Sequence, residues 1–215
     1  MESELSRGEI LIIRKMIFPL KLIVIGISFL VLEINFFGFD LLNDTLALLL
    51  ITSAVLRLTF IYNSKRYDFG MTYVSMVLIL SVAASFFQII KPELFEEYIQ
   101  YFSYLSALQA TALIVFCMSM YWFCDELNIK ELAKYWQSAY LLFAFFLILP
   151  NAIFQLLVYF YNLREMISDI FWVLILIIYI ILAFIPIIHM FQVSVKMLNY
   201  AKSYVPKEYS SKGAI

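Results

Sequence analysis

Stretches of about twenty apolar residues recur along this chain, separated by short polar connectors. A helix rises about 1.5 Å per residue, so such a stretch covers roughly the 30 Å of a bilayer's hydrocarbon. Six spans are predicted: Ile17–Phe36, Leu42–Ile61, Met71–Ile90, Phe102–Phe123, Ala139–Phe160 and Ile170–Gln192. Only 14% of the 215 residues are charged, against about 25% in a soluble domain, and a water-soluble fold of this size cannot hide so much apolar surface. The segments do not alternate polar and apolar, so barrel strands are excluded. The expected fold is all-α: a polytopic membrane bundle of six transmembrane helices over residues 1–195, with a basic, partly disordered tail at 196–215. The first span is longer than a signal-peptide core and no A-x-A-like site follows it, so it is read as retained.

The connectors are short enough to make successive spans antiparallel neighbours. Cations sort by parity. Arg7, Arg14, Lys15, Lys21, Arg57, Lys65, Arg66, Lys130, Lys134, Lys196, Lys202, Lys207 and Lys212 fall on one side, while Lys91 and Arg164 fall on the other. The positive-inside rule then predicts that both termini are cytoplasmic. Asp40 and Asp44 fall in the first external hairpin, where carboxylates do not oppose insertion. Asn43 or Asp44 is expected to cap the second span.

Glycine is scarce, with five residues, so close helix approach is expected at Ala, Ser and Thr. Ser81 and Ser85 in the third span and Ser103, Ser106, Ala107, Ala110 and Thr111 in the fourth form small-residue faces. Pro150 and Pro186 are expected to kink the fifth and sixth spans. Leu127, Leu132, Tyr135 and Trp136 suggest a short surface helix ahead of the fifth span, lying against the membrane or docking a partner.

"LEINFFGFDLLNDTLALLLITSAVLRL" resembles a pattern in a loose group of uncharacterised small multipass membrane proteins of Gram-positive bacteria. The matching residues are Ile34, Asn35, Gly38, Phe39, Asp40, Asp44 and Arg57, within the first two spans. Asn43 stands where the group has a proline. The resemblance implies a membrane hairpin in a multi-pass protein of a bacterial cytoplasmic membrane. It implies no chemistry.

Polar side chains inside a bilayer are costly and call for a reason. Glu33, Gln88, Gln109, Asn151 and Gln155 all fall toward the outer ends of their spans. They are candidates for one outward-facing polar cavity, with Glu33 as its ionisable member. The competing reading places Glu33 at the headgroups and the amides in interhelical hydrogen bonds. Arg57 and His189, the single histidine, form a candidate polar pair at the inner leaflet. Cys117 and Cys124 are spaced i, i+7 on one helix and cannot bridge, so they read as small buried hydrophobes. No metal site, cofactor or enzyme motif is expected. H-E-x-x-H, G-x-S-x-G and the phosphate-cradling loop are absent. Glu96 and Glu97 resemble the E-E pair of E-E-x-x-x-R membrane proteases, but Tyr101 occupies the arginine position.

Two functions follow as expectations. One is a non-catalytic accessory or structural subunit of the cell membrane, acting through lipid and through a second copy or a membrane-protein partner, with no nucleic acid. The other is a small transporter or channel built around Glu33.

Overall fold

The computed structural model describes residues 6–31, 40–91, 93, 99–149 and 169–204. These are all-α, with no strand among them. The helices are α1 (Arg7–Lys15), α2 (Ile17–Val31), α3 (Asp40–Thr59), α4 (Lys65–Ile90), α5 (Ile99–Glu126), α6 (Lys130–Phe143) and α7 (Asp169–Ser203). A π-helical turn, Ala144–Ile148, extends α6.

Local chemistry sets the boundaries. Ser6 opens α1 with a reciprocal capping box: its hydroxyl accepts from the Glu9 amide, and the Glu9 carboxylate accepts from the Ser6 amide. That pair of bonds, the backbone one foremost, holds the Glu9 carboxyl below its ordinary range. The break at Met16 has a covalent cause. Pro19 has no amide hydrogen for the Lys15 carbonyl, and its ring crowds that oxygen. A new helix therefore starts at Ile17 with Pro19 in its first turn. α5 ends in a Schellman motif. Asn128 takes a left-handed conformation, φ 56°, while Ile129 N donates to Cys124 O and Asn128 N to Asp125 O.

Each helix from α2 onward packs against its sequence neighbour, and α7 returns to α2, closing a circuit. One continuous core fills the end that carries the α3–α4 and α5–α6 turns. It joins Leu20 and Ile23 of α2, Leu58 of α3, Tyr67 and Met71 of α4, Met120 and Phe123 of α5, Trp136 of α6 and Met197 of α7. Glycine allows the closest approaches. A Cβ on Gly26 would meet Ile51 Cγ1 at 2.6 Å and the Ala47 carbonyl at 3.2 Å, and one on Gly70 would overlap the Ser119 hydroxyl.

Several expectations change. α3 begins at Asp40, so Asn43 and Asp44 lie inside the helix rather than capping it. Acidic residues suit the positive end of a helix dipole, and the turn extends through them. Leu127, Leu132 and Trp136 do not line a surface helix. All three are buried, Trp136 completely, because α6 runs without interruption from Lys130 through Phe143 into the next apolar stretch. α7 holds Pro186 within it and reaches Ser203, eight residues into the segment expected as a tail.

Candidate functional site

Polar side chains on α3, α4 and α5 meet one another between the helices. Thr45 bonds Ser85, and Thr59 bonds Ser75 at 3.3 Å, both joining α3 to α4. Tyr73 and Thr111 hydroxyls lie 2.7 Å apart between α4 and α5. The Gln109 amide donates to Ser81 Oγ at 2.9 Å across the same interface. Ser81 in turn donates to the Val77 carbonyl at 2.8 Å. Of the five residues expected to share an outer cavity, Gln109 therefore serves as a link between helices. Gln88 is half-buried near the C-terminal end of α4. Glu33, Asn151 and Gln155 lie outside the described residues.

At the opposite end, Arg57 and His189 each have their own partner. The Arg57 guanidinium lies over the Phe18 ring, 4.6 Å from its centroid, joining α3 to α2. His189 Nε2 lies 2.7 Å from Ser138 Oγ, joining α7 to α6. Ser138 Oγ also donates to the Tyr135 carbonyl at 2.8 Å. Nearer the helix ends, Lys196 sits 3.5 Å above the Tyr135 ring. Ser138 and Lys196 were not singled out from sequence. Their signal was positional: Tyr135 and Ser138 lie three apart on one helix, as His189 and Lys196 lie seven apart on another.

The α3–α4 turn is fastened to the end of α5. Tyr62 and Ser64 hydroxyls both donate to the Glu126 carboxylate at 2.8 Å. The Tyr62 ring stacks edge-on against Tyr67 and Phe123. Burial, followed by the Glu126 hydrogen bond and charge, pushes the Tyr62 phenol up to about 12.

Between α3 and α4 runs an open groove of about 420 Å³, lined by Leu49, Thr52, Ser53, Leu56, Arg57, Phe60, Ile79 and Val82. Arg57 is its one charged group. Cys117 and Cys124 are free and buried. Ser194 Oγ is buried without a hydrogen-bond partner among the described residues. No three His, Cys, Asp or Glu side chains among the described residues converge as metal ligands.

Among the described residues, two helical stretches, Lys65–Ile90 and Ala107–Glu126, are long and apolar enough to cross a membrane. Only 22% of the most apolar window in Lys65–Ile90 is buried within the protein. No family of known proteins, no curated protein and no solved structure matches the chain.

Proposed function

We propose that this chain is a multi-pass protein of the cell membrane, with six spans and both termini on the cytoplasmic side. In this reading it works as a non-catalytic accessory or structural subunit through lipid and protein contacts. The observation that carries the reading is α4. Its residues Phe69, Met76, Ile79 and Leu80 are exposed, while its Ser75 and Ser81 point inward to Thr59 and Gln109. That arrangement inverts the preference of a soluble protein, in which large exposed apolar patches are rare. In hydrocarbon it is the favourable one, since buried hydroxyls and amides bond between helices.

Charge supports the orientation. The Phe18–Arg57, Tyr62–Glu126 and Tyr135–Lys196 contacts gather the start of α2, both described turns and the end of α7 at one end of the bundle. That end carries Lys21, Arg57, Lys65, Arg66, Lys130, Lys134, Lys196 and Lys202, whereas Lys91 lies at the far end of α4. A cytoplasmic placement of the cationic end follows. The pairing of Gln109 with Ser81 favours a helix-joining role for the polar groups over a water-filled path. The described small-residue contacts likewise build a packed bundle.

Purification from membranes in a mild detergent tests the reading. A stoichiometric membrane-protein partner or a homo-oligomer is expected to co-elute with the chain, and a clean monomer under conditions that preserve helicity would refute it. Single cysteines at Ser6 and Ser203, in a Cys117→Ala/Cys124→Ala background, should be labelled from the same, cytoplasmic side. Labelling from opposite sides would break the six-span topology.

A further inference from the structure

We propose that the groove between α3 and α4 holds one acyl chain of an anionic glycerophospholipid, with the lipid phosphate on Arg57. The proposal rests on the membrane reading above and adds a ligand site to it.

The walls of the groove come from helical spacing. Leu49, Thr52, Ser53, Leu56 and Arg57 recur at three- and four-residue intervals and so share one face of α3, with Phe60 in the turn just beyond it and Ile79 and Val82 of α4 opposite. Small side chains at Thr52 and Ser53 hollow the face between larger neighbours. The Thr52 hydroxyl is committed to the Leu48 carbonyl at 2.6 Å, so it makes no demand on a guest. Apart from the Thr52 and Ser53 hydroxyls, the lining is apolar until Arg57.

Length fits a single leaflet. Leu49 and Arg57 are eight residues apart in sequence, about 12 Å along a helix, within the roughly 15 Å of hydrocarbon in one leaflet. A chain whose headgroup lies beside Arg57 would end near Leu49 and Val82, close to the midplane.

Arg57 is presented for an anion. Its Cζ lies over the Phe18 ring, 4.6 Å from the centroid, a contact that uses the cation's charge and none of its N–H donors. No carboxylate among the described residues pairs with it. A guanidinium fork matches two phosphate oxygens. Phe60, 87% exposed, projects beside it at the mouth of the groove.

The test uses the purified full chain in mild detergent, with native mass spectrometry counting bound lipid. The probes are phosphatidylglycerol, phosphatidylcholine, diacylglycerol and inorganic phosphate. One phosphatidylglycerol should be retained, about tenfold more tightly than diacylglycerol, a gap the size of one charge-assisted hydrogen bond. Arg57→Gln should remove that advantage and leave diacylglycerol binding unchanged. Ser53→Trp fills the groove from an exposed position and should abolish retention of both while elution stays monodisperse. Unchanged phosphatidylglycerol retention in either variant would overturn the site. Equal retention of phosphatidylcholine would overturn the anionic assignment, and displacement by millimolar inorganic phosphate would make it a free-anion site instead. A chain that is monodisperse without detergent fails the membrane reading itself, whereas a detergent-dependent chain that retains no lipid fails only the groove.

Discussion

Replacing Gly70 with alanine probes the closest approach of α4 to α5 and has a calculable sign. An alanine Cβ there would overlap Ser119 Oγ and lie 3.3 Å from Ser119 Cβ and 3.4 Å from Val115 Cγ1. Ser119 is fully buried, and its hydroxyl is held to the Val115 carbonyl at 2.8 Å, so it has little room to yield. Overpacking of this kind costs about 1–3 kcal/mol. Against it stands the helix preference for alanine over glycine, about 1 kcal/mol. Gly70→Ala should therefore destabilise by up to about 2 kcal/mol. Ser119→Ala removes the overlapping atom at the loss of one hydrogen bond within the helix, about 0.5–1 kcal/mol. The remaining 3.3 and 3.4 Å contacts require shifts of only a few tenths of an ångström. In the Ser119→Ala background, Gly70→Ala should thus be close to neutral, giving a coupling of up to about 2 kcal/mol. Reversible unfolding in mixed sodium dodecyl sulfate and dodecyl maltoside micelles, followed by circular dichroism, measures all four corners of the cycle. A Gly70→Ala effect that is the same in both backgrounds, whether costly or stabilising, would show that these two residues do not meet.

Other perturbations follow from single contacts. The Tyr62 phenol ionises near 10 in an unfolded chain and about 12 in the folded one, so its contribution to stability is full below pH 10 and is lost as pH rises toward 12. Glu126→Gln should narrow that window, seen as earlier tyrosinate absorbance on alkaline titration, and an unchanged curve would remove the Tyr62–Glu126 bond from the account. Ser6→Ala should lower stability by about 1 kcal/mol through loss of the capping box, and faster amide exchange confined to α1 is the reading that checks it. Ser81→Ala should cost about 0.6–2 kcal/mol by stranding the Gln109 amide, and Gln109→Leu in that background should restore most of the loss.

The helical character of the described apolar stretches was legible because it is a property of whole segments, averaged over many side chains. Details that turn on one atom were less so. Ser81, Ser85 and Thr111 were singled out as small residues on helix faces and do meet partners, since spacing alone decides which face they occupy. Gly70 was not singled out: its importance lies in Ser119, forty-nine residues on, and no local pattern announces that pairing. The Lys130–Trp136 stretch alternates charged and apolar residues, as a membrane-surface helix would. Its apolar face, Leu132, Ala133 and Trp136, is buried because the Asn128 turn folds it back onto α5, and one left-handed residue carries no hydropathy signal. Asp40 looked like hairpin because carboxylates are costly in hydrocarbon, yet at a helix start they are favoured, and the second effect prevails there.

The central claim is that the exposed face of α4 meets hydrocarbon. Nitroxide labels placed singly from Thr72 to Phe86 in reconstituted chain, with Cys117 and Cys124 replaced by alanine, test it through collision with oxygen, which concentrates in lipid, and with a water-soluble nickel complex. Oxygen accessibility should peak at Met76, Ile79 and Leu80 and fall at Val77 and Ser81, with low nickel accessibility throughout. High nickel accessibility at Met76, Ile79 and Leu80 would place that face in water and contradict it.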